Sequence, residues 1–190
     1  MEPVAPDADL RLHWMPRPPD ALASARDWLR EIAGGDAARA LQRDARGRPR
    51  LPPGHGDIGW SHSGDALLLA WVPTGVVGVD IEPRARRVPA QRIARRYFAD
   101  DEVAALAALA DVARDDAFLR LWCAKEAVLK AHGHGLSFGL HRLAFDATAT
   151  TPRLLRCDPA LGAASDWRLH ARDGDGHVAV VARHDGILPA

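Results

Sequence analysis

The sequence predicts an α+β fold made of two small, similar lobes, and two observations carry that reading. A helical stretch followed by a three-strand run occurs once before Pro83 and once after it, with about 90 residues on each side. Between the two runs lies EPRARRVPA, whose two prolines and three arginines suit a crossover and neither a strand nor a helix. The lobes are therefore expected at 1–84 and 85–190. At 190 residues, 47% hydrophobic and 26% charged, the chain is long enough to bury a core without disulfides.

The elements follow in order. Leu10, Leu12 and Trp14 alternate as in a strand. In DALASARDWLREIAGG, Asp20 suits an N-cap. Leu22, Ala25, Trp28, Leu29 and Ile32 keep helical spacing, and Gly34–Gly35 reads as a stop. RGRPRLPPGHG is a loop carrying an arginine cluster. Strands are expected at 58–61, 66–72 and 76–82, separated by the turns SGD and PTG. Beyond the crossover, helices are expected at 90–97, 101–113 and 115–132, the last closed by Gly133. Strands are expected at 140–146, 152–157, 167–171 and 177–182, the last two joined by RDGDG.

Composition narrows the function. Formal net charge is zero, so nothing global draws the chain to nucleic acid or to an anionic membrane, and any phosphate recognition must be local. Cys123 and Cys157 are far apart and lack metal-type spacing. MEPVAPDADLRL has no apolar core of signal-peptide length, and no run approaches the ~18 apolar residues of a membrane span. A cytoplasmic, reduced, monomeric protein with no nucleic-acid or membrane partner is the expectation.

Four stretches break their own patterns. In GVVGVDIEP, alternation puts Val77, Val79 and Ile81 on one face and Gly78, Asp80 and Glu82 on the other. Same-face carboxylates roughly 7 Å apart along the strand can converge on an oxygen-loving cation, and the glycine leaves room for a ligand near the backbone. For this motif alone, an edge strand with a solvated polar face is the commoner explanation. LWCAKEAVLK holds the only two lysines among 25 basic residues. On a helical wheel Lys125 and Glu126 fall inside the apolar stripe and Lys130 at its edge, four residues after Glu126. Buried charge is costly unless paired or metal-bound. A snorkelling Lys125 and a surface Glu126–Lys130 pair are the bland alternative. In DIGWSHSG, a histidine between two serines before a glycine suits phosphate oxygens, or a plain turn. RGRPRL offers Arg46, Arg48 and Arg50 in a loop fit for phosphate or carboxylate.

Together, in this order and spacing, the motifs resemble the 4′-phosphopantetheinyl transferases of the Sfp type. The chain carries GRP (Gly47, Arg48, Pro49), SHS (Ser61, His62, Ser63), GVDIE (78–82), FADDE (98–102), WCAKEAVLK (122–130) and GHGL (133–136). The resemblance covers roughly residues 40 to 145. It implies a pseudo-dimer of two α/β lobes with the active site, and coenzyme A as co-substrate, in the cleft between them. It implies Mg²⁺-dependent transfer (Mn²⁺ as the alternative ion) of the 4′-phosphopantetheine arm to a serine of an apo acyl or peptidyl carrier protein.

By the same resemblance Asp80, Glu82 and Glu126 hold the metal. Glu126, Lys130, Asp80 and His62 are catalytic, with Glu126 as base and Lys130 on the phosphate. Gly47, Arg48, Pro49, Ser61, His62 and Lys130 bind coenzyme A. Arg48 stands where the family usually has lysine, near the adenosine 3′-phosphate. Lys125 is structural or supports the site indirectly, and Glu102 is a weaker candidate for a supporting carboxylate. The region before the GRP loop is short for the family, and Arg26, Arg30, Arg39 and Arg43 are the candidates to replace its missing basic residues. Two other readings compete. A metal-dependent nuclease is disfavoured by the zero net charge, and a non-catalytic carrier-binding module by the intact Asp80, Glu82, Glu126 and Lys130.

Overall fold

Two three-stranded sheets, each covered on one face by a helix, organise the chain. The structure, a computed structural model, describes residues 7–174 and 176–186. Residues 1–6 and position 175 of the expected RDGDG turn lie outside the described residues.

After β1 (Arg11–Pro16), Asp20 caps α1 (Ala21–Ile32), accepting from the Leu22 and Ala23 amides at 2.9 and 3.1 Å. Gly34–Gly35 does more than stop that helix. With φ of 90°, Gly34 turns the chain into a second short helix that the sequence reading missed, α2 (Gly35–Ala40). Short strands β2 (Gln42–Arg43) and β3 (Pro49–Arg50) pair across the arginine loop. The three expected strands follow as β4 (Asp57–Ser63), β5 (Ala66–Val72) and β6 (Val76–Pro83).

Beyond the crossover, α3 (Ala90–Tyr97) lies where expected. The next break falls earlier than the pattern suggests, between α4 (Asp100–Ala107) and the 22-residue α5 (Asp111–His132). The alanine-rich stretch 104–113 gives periodicity nothing to mark the boundary. Arg114 stabilises it by donating to the carbonyls of Leu106 and Leu109 at 3.1 and 2.6 Å. Gly133, at φ 96°, closes α5 in the left-handed conformation. Two 3₁₀ turns follow, Gly135–Phe138 and Leu140–Arg142, and the second takes up the first part of the strand expected at 140–146. What remains is β7 (Leu143–Phe145), paired with β8 (Leu154–Cys157). β9 (Trp167–Ala171) and β10 (His177–His184) complete the fold.

Among the described residues the large sheets have the orders β1-β5-β4 and β6-β10-β9. β6, on the N-terminal side of the expected 84/85 boundary, thus pairs antiparallel with β10 of the C-terminal half, setting Asp80 opposite Val180 and Glu82 opposite Val178. Ala25, Trp28 and Leu29 of α1 bury against Ile58, Leu67 and Leu69. The opposite face of that sheet contributes Leu68, Ala70 and Val72 to a core shared with Val77, Val79 and Ile81 of β6 and Ala179 and Val181 of β10. α5 covers the far face of the second sheet, packing Ala124, Ala127 and Val128 with Val178, Val180 and Ala182. The expected alternation in β6 is therefore met: Val77, Val79 and Ile81 face the shared core, and Gly78, Asp80 and Glu82 turn away from it.

Candidate active site

The site is assembled where β4, β6 and α5 meet. Gly78 is the reason α5 lies so close. A Cβ there would collide with the Ala127 carbonyl oxygen and crowd the Ala131 amide, so only glycine allows this helix–strand approach. α5 thus fills the side-chain direction at Gly78, while Gly78 itself also lines the adjoining cleft, where room for a ligand was expected. The approach carries Glu126 and Lys130 to the Asp80 face of β6.

Lys130 reaches across to β6 instead of back along its own helix. Its Nζ donates to Asp80 Oδ1 at 2.5 Å and to Ser61 Oγ at 3.0 Å. Ser61 Oγ in turn donates to the same Asp80 oxygen at 3.0 Å. Burial alone would lower the Lys130 pKa, but the Asp80 charge beside it outweighs that and holds it above the usual lysine value. Ser63 Oγ donates to Glu82 Oε2 at 3.0 Å, and Arg86 pairs with Glu82 Oε1. From sequence Ser63 was a candidate only for phosphate oxygens, and Arg86 had no role. Ser63 shares the strand face of Ser61, which was a usable signal; Arg86 sits in the turn after Pro83, where no periodicity applies.

Glu126 is different. It is buried, and its Oε1 has no hydrogen-bond partner among the described residues. Burial, then the nearby Asp80 charge, push its carboxyl up to about 7, with Lys130 opposing. Asp80 Oδ2 is likewise buried without a partner. Two orphaned carboxylate oxygens, with Glu82 alongside, form a donor set that suits a hard divalent cation. Among the described residues no three acidic, imidazole or thiol side chains close on one point as a ligand set. Lys130 pairs with Asp80 Oδ1 and Arg86 with Glu82 Oε1, and Asp80 Oδ2 stays open.

Beside this network a cleft of about 500 Å³ is lined by Arg46, Gly47, Arg48 and Pro49 of the arginine loop, Trp60 of β4, and Lys130 and His134 at the end of α5. The GRP residues and Lys130 are therefore brought together. Ser61 and His62 are not: Ser61 is buried in the Asp80 network, whereas His62 is exposed on the opposite face of β4. Among the four arginines considered as replacements, Arg43 lies over the ring of the cleft-lining Trp60 at 5.2 Å. Arg26 donates to the Leu41 carbonyl, and Arg30 and Arg39 pair with Asp27 and Asp36 on their own helices.

Lys125 points away from the cleft into the C-terminal core. It is fully buried and pairs with Glu102 Oε2 at 2.7 Å. It also donates to the Leu140 and Leu143 carbonyls at 3.0 and 2.6 Å and lies over the rings of Phe98 and Phe145. Glu102 in turn accepts from the amides of Ala99 and Phe145 at 3.0 and 2.9 Å. Glu102 supports Lys125, then, and not the cleft.

Comparison with known proteins places these residues in context. A family model described as the 4′-phosphopantetheinyl transferase superfamily matches residues 76–182, which include β6 and α5. The 4′-phosphopantetheinyl transferase HetI of Nostoc is 31% identical over 146 residues, covering 72% of this chain and 61% of that protein. A phosphopantetheinyl transferase of Thraustochytrium is 30% identical over 159 residues, covering 76% and 55%. The human L-aminoadipate-semialdehyde dehydrogenase-phosphopantetheinyl transferase is 36% identical over 118 residues, covering 56% and 38%. The matches span about half to three-fifths of the length of the first curated relatives.

Proposed function

Because this chain belongs to the 4′-phosphopantetheinyl transferase superfamily, we propose that it moves the 4′-phosphopantetheine arm of coenzyme A to a serine of an apo acyl or peptidyl carrier protein, releasing adenosine 3′,5′-bisphosphate. The observation that carries the proposal is Glu126: a buried carboxylate with an unpartnered oxygen and a pKa near 7, one helical turn before a lysine ion-paired at the rim of a cleft. That value suits a general base at neutral pH. Glu126 takes the proton of the carrier serine, directly or through a water. The serine oxygen then bonds to the β-phosphorus of coenzyme A as the bond from that phosphorus to the bridging oxygen breaks. Lys130 donates hydrogen bonds to the phosphate oxygens on which charge accumulates. Ser61 orients Lys130 and Asp80. His62, exposed on the strand face that also carries cleft-lining Trp60, contacts phosphate oxygens of coenzyme A.

Asp80, Glu82 and Glu126 would hold Mg²⁺, or Mn²⁺ in its place, and the ion when bound supplies positive charge against the diphosphate. The cleft walls come from both halves, Arg46 to Trp60 from one and Lys130 to Ser137 from the other. That arrangement, with a helix on each three-stranded sheet, supports the Sfp-type two-lobed reading. On this reading the protein acts as a cytoplasmic monomer. Among the described residues, no helix is long and apolar enough to cross a membrane.

The test is direct. Purified protein with Mg²⁺, coenzyme A and an apo carrier should add one phosphopantetheine mass to the carrier. No gain with carriers from fatty-acid, polyketide and peptide synthesis would overturn the proposal. Glu126→Ala should lower the transfer rate by at least roughly 10²-fold while coenzyme A binding weakens only modestly. Retained turnover would remove Glu126 from the role of base.

A further inference from the structure

Arg48 and Asp57 form a buried ion pair whose contacts reach all three elements that carry the candidate site. Arg48 Nη2 donates to Asp57 Oδ2 at 2.6 Å, with the side chains 8% and 10% exposed. The same Asp57 oxygen accepts from the Val77 amide at 2.8 Å, at the start of β6. Arg48 Nε donates to the Lys130 carbonyl at 2.8 Å, in the last turn of α5. Asp57 is itself the first residue of β4. One guanidinium and one carboxylate thus tie together the strand bearing Ser61, the strand bearing Asp80 and Glu82, and the helix bearing Glu126 and Lys130.

The loop that presents Arg48 is built to hold it still. Asp44 Oδ1 accepts from the Arg46 and Arg48 amides at 2.9 Å each, and the Asp44 amide donates to the Arg48 carbonyl at 2.9 Å. Gly47, at φ 82°, makes the turn. Each guanidinium nitrogen already has a protein partner, Nε the Lys130 carbonyl, Nη2 Asp57 and Nη1 the Pro49 carbonyl at 3.5 Å, so none is left wholly to a phosphate. Swinging Arg48 onto a ligand would leave Asp57 buried without its counter-charge.

We propose that Arg48, acting with Asp57, is a positioning residue that sets Lys130 against Asp80, and that it does not read the 3′-phosphate of coenzyme A. This rests on the transferase reading above. It also explains why arginine stands where the resemblance leads one to expect lysine. A planar fork can hold the Asp57 carboxylate and the Lys130 carbonyl at once, whereas a single ammonium at the end of a flexible stem is not shaped to span both.

Steady-state kinetics with coenzyme A and with 3′-dephospho-coenzyme A separate the two roles. Arg48→Lys and Asp57→Asn should each lower kcat roughly 10- to 100-fold, keep KM for coenzyme A within about threefold, and leave the preference for coenzyme A over the dephospho form unchanged. Arg48→Lys with full kcat, or with that preference lost, overturns the proposal. Melting of Arg48→Ala, Asp57→Ala and the double variant gives a test that needs no turnover. Each single change should lower Tm by on the order of 10 °C, and the double should melt no lower than the worse single. Additive losses overturn the pairing. If the wild type modifies no carrier, the transferase reading fails, and the melting cycle still decides whether Arg48 and Asp57 act as one unit.

Discussion

Lys125 and Glu126 are consecutive and both buried, yet they stand in opposite electrostatic situations. Lys125 has a carboxylate, two carbonyls and two aromatic faces around its ammonium, so its charge is compensated in place although burial pulls its pKa down. Glu126 keeps an unpartnered oxygen near other carboxylates, and its pKa rises to about 7. The sequence showed that both charges interrupt an apolar stripe but left the role of Lys125 open. Glu102 lies on a different helix, and only tertiary packing brings it over. A pH prediction follows for Glu126. Its folded pKa lies above its unfolded value of 4.5, so the folded state binds the proton more tightly. The associated stability is fully present below about pH 4.5 and is lost as pH rises through 7. In chelator, Glu126→Gln should remove this loss, worth on the order of 1–3 kcal/mol. The gap in urea midpoint between the variant and wild type should therefore widen from pH 5 to pH 8 in the variant's favour. Parallel midpoints across that range would show that Glu126 titrates normally.

At the level of elements, the site depends on how closely α5 is pressed against β6, and Gly78 sets that distance. The glycine was legible as a place of close approach to a ligand, and it does line the cleft, but α5 was not foreseen there, because a strand's own pattern does not identify what packs on it. The α4–α5 break was illegible for a similar reason. It is stabilised by Arg114 reaching back to two carbonyls, a contact that alanine-rich periodicity does not encode. Gly78→Ala tests the packing argument. The added methyl meets the Ala127 carbonyl and the Ala131 backbone and methyl, so α5 must shift outward. Tm should fall by roughly 3–10 °C. Transfer measured well below the new Tm should drop more than about tenfold as Glu126 and Lys130 leave Asp80. A variant with wild-type turnover would mean that the α5–β6 spacing does not govern the site.

For the whole molecule, most helices and strands were readable from periodicity, and so were Asp80, Glu126 and Lys130 as charges set against an apolar pattern, whereas Arg86 was not. The pairing of β6 with β10 was not readable, because register and partner choice are set by long-range contacts that no local pattern encodes. That pairing has a functional consequence. It places the D-x-E carboxylates on a sheet shared with the C-terminal half, while the arginine loop and Trp60 wall the cleft from the N-terminal half. A ligand that fills the cleft therefore contacts both halves and should stabilise the whole chain against unfolding. At coenzyme A near 100 times its Kd with Mg²⁺ present, linkage adds about 2.7 kcal/mol, or roughly 5–10 °C in Tm for a chain of this size. Coupling is reciprocal, so if an ion held at Asp80 and Glu126 meets the diphosphate at the Lys130 rim of the cleft, chelator should shrink the coenzyme A shift and coenzyme A should tighten Mg²⁺ binding by the same factor. Asp80→Asn should abolish that mutual enhancement while sparing the shift that coenzyme A gives alone. If the shift is the same with Mg²⁺ and with chelator, the ion and coenzyme A do not meet in this cleft, and the assignment of Asp80, Glu82 and Glu126 as a metal set fails.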